Sequence, residues 1–147
     1  SCLTVPGTGI ILGHGMCRFD PRSGLPNSPG PRKRPLNNVC PTILRQPGRD
    51  VALGLRGGRR IVSVATQLAM RLIDHGLAPA QAATAPRLHV EEHEPVEITD
   101  ASLGERLTAM GHQVRNVASA GGWAHIVELR PGEKRIRAGG NIWAAGI

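Results

Sequence analysis

The chain has almost no aromatic residues and very little lysine. Its 147 residues include no tyrosine, one phenylalanine and two tryptophans, and the lysines are Lys33 and Lys134. The formal net charge of +7 therefore comes from arginines, which are scattered from Arg18 to Arg137. Nucleic-acid binding favours clustered cations and, for unpaired bases, aromatic stacking platforms. The sequence therefore predicts no nucleic-acid partner.

Cysteine is scarce, and long apolar runs are absent. Cys2, Cys17 and Cys40 form no C-x-x-C pair, so they indicate neither a disulfide framework nor a zinc site. No apolar run is long enough for a signal peptide or a membrane span, and we expect no membrane segment in this chain. The chain begins at Ser1 rather than methionine, so we expect a processed subunit or a fragment.

Apolar periodicity predicts a mixed α and β chain with a mainly antiparallel sheet. Ile61, Val64, Ala65, Leu68 and Leu72 fall on one face of a helix, and Gly76 marks its end. A proline-rich stretch over residues 20–36 predicts an irregular binding loop. The predicted helices are 59–75, 79–84 and 102–110. The predicted strands are a buried one at 9–12, a hairpin of 41–44 with 51–55, and three more at 113–117, 124–129 and 134–138.

Gly57 and Gly58 lie between a predicted strand and the first predicted helix, and Arg59 and Arg60 add positive charge after them. Backbone N–H groups that carry no side chain can approach a ligand closely, and those at a helix start favour anions. Such donors suit an oxyanion hole, in which fixed dipoles stabilise the negative charge of an acyl-transfer transition state. A tight turn that requires positive φ explains the same glycines, so the pattern alone leaves both interpretations open.

A second pattern, His89-Val-Glu-Glu-His93, matches the H-x-x-E-H motif of one group of zinc proteases. That motif needs both histidines on one helical face, whereas Pro86 and Pro95 flank this one and Leu88 and Val90 alternate as in a strand. Histidines four positions apart on a strand lie about 13 Å from each other, too far to share a zinc ion. The sequence therefore favours no metal site here.

A set of short segments also occurs in a specific order. They are Val5-Pro-Gly-Thr-Gly-Ile-Ile-Leu12, Lys33-Arg-Pro-Leu-Asn-Asn-Val-Cys-Pro-Thr-Ile43, Gly54-Leu-Arg-Gly-Gly-Arg-Arg-Ile61, Ile73-Asp-His-Gly76 and Ala85-Pro-Arg87. The ordered set resembles the small subunit of γ-glutamyltranspeptidases from about Val5 to the end of the chain, with fewer matches after Glu97.

The resemblance implies an N-terminal-nucleophile hydrolase with a four-layer αββα fold. Its precursor cleaves itself, and the new N-terminal threonine takes an acyl group from γ-glutamyl donors such as glutathione. The resemblance also implies a large subunit from the same precursor as partner, a small γ-glutamyl or glutaryl amide as substrate, and neither cofactor nor metal. It favours a periplasmic or extracellular location.

The resemblance also bears on Ser1, a candidate N-terminal nucleophile because a free α-amine can act as its base. In the family, the segment matching residues 1–5 lies inside the small subunit, downstream of the nucleophile. We therefore expect residues 1–147 to be a C-terminal portion of a small subunit, with its threonine upstream. Alone, this chain should be inactive.

The resemblance implies roles for four residues of this chain. Gly57 and Gly58 match the glycine pair that helps form the oxyanion hole. Asn37 and Asn38 match a serine pair that holds the α-carboxylate of the donor, and asparagine amides can donate hydrogen bonds to the same anion.

One departure concerns the donor's α-ammonium. After Met16 the family carries acidic residues that hold this group, whereas the chain has Cys17 and Arg18. The departure puts γ-glutamyl specificity in doubt and favours a glutaryl-type acylase of the same family as an alternative. An alternative of another class is a non-catalytic relative that serves as a structural or partner-binding module.

Overall fold

The computed structural model describes residues 3–13, 15–91 and 93–141, and Ser1 lies outside them. The chain divides into two compact units, residues 1–37 and 38–147. The first contains a 3-10 turn, Gly15–Arg18, followed by the predicted irregular loop. Asn27 Nδ2 donates to the Arg18 carbonyl at 2.7 Å, and Asn27 Oδ1 accepts from the Leu36 N–H at 2.9 Å. These bonds join the two ends of the loop, which is therefore ordered without regular secondary structure.

The predicted buried strand at Gly9–Leu12 is wrong. Ile10 and Ile11 are 61% and 70% exposed, and the backbone forms an isolated bridge between Thr4 and Ile11. An apolar run forms a buried strand only where it can pair with a neighbouring strand and pack against a core. The described residues of the first unit provide neither.

The second unit is built on a four-stranded antiparallel sheet. Its strands are β1 (Thr42–Gln46), β2 (Arg49–Arg56), β6 (Trp123–Leu129) and β7 (Ile136–Gly140), in that spatial order. The predicted hairpin of β1 and β2 is confirmed, with Leu44 opposite Val51. Strand β2 also pairs with β6, so that Leu53 lies opposite Ile126.

A smaller sheet contains β3 (Leu88–His89), β4 (Val96–Ile98) and β5 (Val114–Asn116). Strands β3 and β4 are antiparallel, and β4 and β5 are parallel. Helix α3 (Ala101–Ala109) connects β4 to β5, and the Asp100 side chain caps it by accepting from the Ser102 N–H at 2.9 Å. The expected class, mixed α and β with mainly antiparallel pairing, is confirmed.

Helices α1 (Arg60–Ile73) and α2 (Pro79–Thr84) cover one face of the four-stranded sheet. The residues predicted to share one face of α1 are all buried. All of them except Ile61 belong to one core cluster with residues of β2, β6 and α2, namely Val51, Leu53, Ala124, Ile126, Ala82 and Ala83. No helix among the described residues is both long and apolar enough to cross a bilayer.

The opposite face of this sheet, which we call the outer face, is apolar and exposed. Ile43 and Ile136 are 70% and 65% exposed, and Val127 and Leu129 lie between them on the same face. Monomeric proteins rarely leave a contiguous apolar sheet face uncovered.

Candidate active site

The glycine pair connects the end of β2 to the start of α1. Gly57 has φ 154° and Gly58 has φ 61°, values that side chains disfavour. The carbonyls of Gly57 and Gly58 accept from the N–H groups of Arg60 and Ile61, each at 3.2 Å, which closes the first turn. Among the described residues, neither glycine N–H has a hydrogen-bond acceptor. Two backbone donors therefore remain available at a helix N-terminus.

Gly57 packs directly against a second glycine from a distant part of the chain. A Cβ on Gly57 would lie 2.9 Å from both Cα and N of Gly122. Gly122 has φ 73°, and a Cβ on Gly122 would lie 2.9 Å from Cγ2 of Val64 on α1. Any side chain at Gly57 or Gly122 would push the junction away from the helix.

Asn38 lies next to the second glycine of the pair. A Cβ on Gly58 would have Asn38 Nδ2 as its nearest neighbour, at 3.9 Å. Asn38 is 9% exposed, so its amide is held in a nearly buried position. The structure thus brings together Gly57, Gly58 and Asn38, which the sequence predicted as site residues.

The other two predicted residues belong to the first unit. Asn37 is its last residue and is exposed, and Arg18 is exposed at the end of the 3-10 turn.

The arginines that follow the glycine pair have carboxylate partners. Arg60 donates to the Glu97 carboxylate and to the Ala120 carbonyl, and Arg115 binds the other Glu97 oxygen. Hydrogen bonds from Arg60 and Arg115 hold the pKa of Glu97 below its usual value, although burial opposes them. Arg59 lies 3.7 Å from Glu91. Arg60 therefore fixes the start of α1 to β4 and to the segment before Gly122.

His89 of the H-x-x-E-H motif takes part in a hydrogen-bonded chain. Its ring is 3% exposed, with Nδ1 2.9 Å from Ser63 Oγ on α1 and Nε2 3.0 Å from Glu91 Oε2. His93 lies in a bend beyond β3, and Glu92 lies outside the described residues. The described residues contain no group of three His, Cys, Asp or Glu side chains able to hold a metal ion. His89 thus joins α1 to the smaller sheet, a contact that its sequence spacing did not reveal.

The fold of the described residues matches that of N-terminal-nucleophile hydrolases, as one solved structure shows. The T380A mutant of Helicobacter pylori γ-glutamyltranspeptidase superposes on this chain with a TM-score of 0.74 at 26% identity, covering 95% of this chain and 83% of that chain. The family model for gamma-glutamyltranspeptidase matches residues 1–147. The chain belongs to the γ-glutamyltranspeptidase family.

Curated relatives include an acylase and a glutathione hydrolase. Acylase ACY 1 proenzyme of Pseudomonas sp. (strain SE83) is 37% identical over 134 residues, covering 89% of this chain and 24% of that protein. Glutathione hydrolase proenzyme of Escherichia coli (strain K12) is 37% identical over 93 residues, covering 56% of this chain and 16% of that protein. The chain thus spans about a quarter or less of the length of these relatives.

Proposed function

We propose that this chain is part of an amidohydrolase or acyltransferase of the γ-glutamyltransferase and glutathione hydrolase type. The observation that carries the proposal is the pair of unblocked N–H groups at Gly57 and Gly58, with the Asn38 amide beside them. Fixed donors of this kind stabilise an oxyanion more than the neutral carbonyl that precedes it. The names of the relatives, acylase and glutathione hydrolase, support amide substrates.

In the proposed reaction, an N-terminal threonine upstream of this chain attacks the amide carbonyl of the donor. Its α-amine takes the hydroxyl proton, the carbonyl oxygen becomes an oxyanion, and the N–H groups of Gly57 and Gly58 donate to that oxygen. Collapse of the intermediate breaks the C–N bond, and the amine leaves with the proton. Water or a second amine then attacks the acyl-enzyme and restores the threonine. The groups that act on the substrate and on water in these steps all belong to the protein, so the proposed chemistry requires no cofactor.

The remainder of the precursor is the proposed partner. In a four-layer αββα sandwich, a second sheet covers the face of the first sheet that the helices leave open. The apolar outer face around Ile43, Val127 and Ile136 supports this arrangement, because a second sheet would bury it. The proposed assembly is therefore a heterodimer with the large subunit, in which the small subunit also includes the segment upstream of Ser1.

We expect the purified 147-residue chain to be inactive on γ-glutamyl and glutaryl anilides. Oxyanion donors without a nucleophile leave only weak background catalysis. The measurement is release of the aniline by this chain and, in parallel, by the product of the full-length gene. Turnover by this chain that Ser1→Ala abolishes would show that Ser1 is the nucleophile after all.

A glutaryl-type acylase is a second candidate within the same family. Arg18, which stands where the resemblance places acidic residues, favours it, and so does the acylase name of a relative. A cation that replaces a carboxylate repels the α-ammonium of a γ-glutamyl donor, and arginine binds a carboxylate in two-pronged fashion. Arg18 would then select donors that end in a carboxylate alone.

Accordingly, Arg18→Asp in the full-length enzyme should move the preference toward γ-glutamyl donors by about tenfold or more, since unit charges near 4 Å contribute 1 to 4 kcal/mol. The measurement is the ratio of kcat/KM for glutaryl and γ-glutamyl anilides in both proteins. Arg34→Asp, an exposed arginine of the same unit, is the matched control and should leave the ratio unchanged. If wild-type enzyme favours γ-glutamyl donors and Arg18→Asp leaves the ratio alone, Arg18 does not select donors.

A non-catalytic relative remains the alternative of another class. The discriminating observation is the gene sequence upstream of Ser1: a threonine at a self-cleavage site supports catalysis. The decisive variant replaces that threonine by alanine. Loss of both cleavage and turnover is the expected result, whereas an enzyme that keeps its turnover would rule out the proposed nucleophile.

A further inference from the structure

A cavity of about 360 Å³ opens beside Gly57, and Asn38 is not among the residues that line it. Its wall includes Gly57, Gly122, Arg56 and Trp123. Gly58, whose nearest side chain is that of Asn38, does not line it. The cavity has the volume of a small-ligand site. The glycine pair thus has the cavity beside Gly57 and the Asn38 amide beside Gly58.

Of the two arginines that line this cavity, Arg56 is the one without a carboxylate partner among the described residues. Its guanidinium carbon lies 3.2 Å from the centroid of the Trp123 ring, and within the described ranges no carboxylate pairs with it. Arg60, the other arginine of the wall, is bound to Glu97. Stacking uses the face of a guanidinium and leaves its N–H edge free to bind a planar anion. Trp123 therefore orients Arg56 as a ready carboxylate receptor.

We propose that this cavity holds the leaving amine of the amide substrate, and that it selects amines that carry a carboxylate on a flat or apolar body. An amide bound with its carbonyl oxygen at the glycine pair has its acyl chain on one side of the carbonyl and its amine on the other. The acyl end goes toward Asn38, so the amine lies toward Arg56 and Trp123. This inference rests on the proposed acyl transfer, but the binding it requires can be measured without turnover.

The experiment compares two probes that differ in one group, 3-aminobenzoate and 3-aminobenzamide. Calorimetric titration of each into the full-length enzyme should show the carboxylate binding on the order of tenfold more tightly, because a hydrogen-bonded charge contributes more than a neutral amide. In Arg56→Gln the two affinities should become nearly equal. Arg56→Lys, which keeps the charge but loses the two-pronged edge, should show an intermediate ratio.

Arg135→Gln is the matched control, since Arg135 is exposed and does not line the cavity. It should keep the wild-type ratio of affinities. Equal binding of both probes by the wild type, or an unchanged ratio in Arg56→Gln, would overturn the inference. Anilide donors with and without a ring carboxylate then give the same comparison in kcat/KM. If the enzyme binds 3-aminobenzoate selectively but turns over no amide, the proposed function is wrong and the carboxylate site is still supported.

Discussion

Replacing Gly58 by alanine in the full-length enzyme is expected to lower kcat about a hundredfold and to change KM little. The loss of a proposed oxyanion donor destabilises the transition state by about 3 kcal/mol and leaves substrate binding unaffected. Space is available for the methyl group, whose nearest neighbour would be 3.9 Å away. The conformation is the obstacle: at φ 61° an alanine is strained by about 1 to 2 kcal/mol. Relief of that strain would rotate the Gly58 N–H away from the proposed position of the oxyanion.

Gly58 is the informative member of the pair. A methyl group on Gly57 would collide with the Gly122 backbone at 2.9 Å, so Gly57→Ala would damage the fold as well as the site. Gly76→Ala is the matched control, because Gly76 lies beyond the other end of α1, has a similar positive φ of 62° and would place its Cβ within 4 Å of no atom. It should keep wild-type kcat.

Asn38→Ala provides the complementary result. Asn38 is proposed to hold a substrate carboxylate remote from the bond that breaks, so its loss should raise KM more than it lowers kcat. Steady-state kinetics on one anilide donor measures all of these variants. A Gly58→Ala enzyme with wild-type kcat would reduce the glycine pair to a tight turn and remove the main support for acyl transfer.

Local features of the chain were predictable because local physics decides them. The apolar face of α1 follows from spacing alone, and Pro79 at the start of α2 with Pro86 after its end fixes that short helix. The position of Gly57 and Gly58 between a strand and a helix was predictable for the same reason. The family resemblance alone suggested Asn38 as a site residue, and its contact with Gly58 joins two separate segments.

Features that depend on distant pairing were not predictable. Nothing in the sequence near Gly57 indicates that Gly122 packs behind it, because that contact depends on the pairing of β2 with β6. The same pairing brings Arg56 opposite Trp123. At Gly9–Leu12, conversely, the local pattern indicated a strand that its surroundings do not support. A buried glutamate of β6 is a further example, because its partner is an arginine of β2.

Glu128 is that glutamate. It lies opposite Val51 on the covered face of the sheet and is 1% exposed. Arg49 is 2.7 Å from one carboxylate oxygen, and Arg130 and Arg137 are 2.7 and 3.3 Å from the other. Burial raises the pKa of Glu128, but the hydrogen bonds from Arg130 and Arg49 outweigh it and hold the pKa below its usual value. The carboxylate is therefore charged and fully paired.

Arg49 makes this cluster structural. Besides Glu128, it donates to the Leu72 carbonyl at 2.7 Å and to the Leu77 carbonyl at 2.9 Å. The side chain thus connects the start of β2 to the end of α1, and it is only 12% exposed. Without Glu128 the guanidinium would keep its carbonyl partners but lose its counter-charge.

Glu128→Ala is accordingly expected to lower the free energy of unfolding by about 3 to 5 kcal/mol, the cost of leaving a buried charge without its partner. Denaturant unfolding of the full-length enzyme measures it. Glu133→Ala is the control, because Glu133 pairs with Arg137 at the surface, 39% exposed, and such pairs contribute about 1 kcal/mol or less. Equal losses in the two variants would show that the buried cluster contributes no more than a surface pair.

The pH dependence provides a second test of the same cluster. Because the folded-state pKa of Glu128 is lowered, its contribution is fully present above the unfolded pKa of about 4.3 and is lost as the pH falls through the folded value. Wild-type enzyme should therefore lose stability below about pH 4 more steeply than Glu128→Gln, which has no proton to take up at this position. The difference between the two unfolding free energies should shrink on acidification. A difference that stays constant from pH 7 to pH 3 would mean that Glu128 is not held as a carboxylate, and the arginines around it would then need another counter-charge.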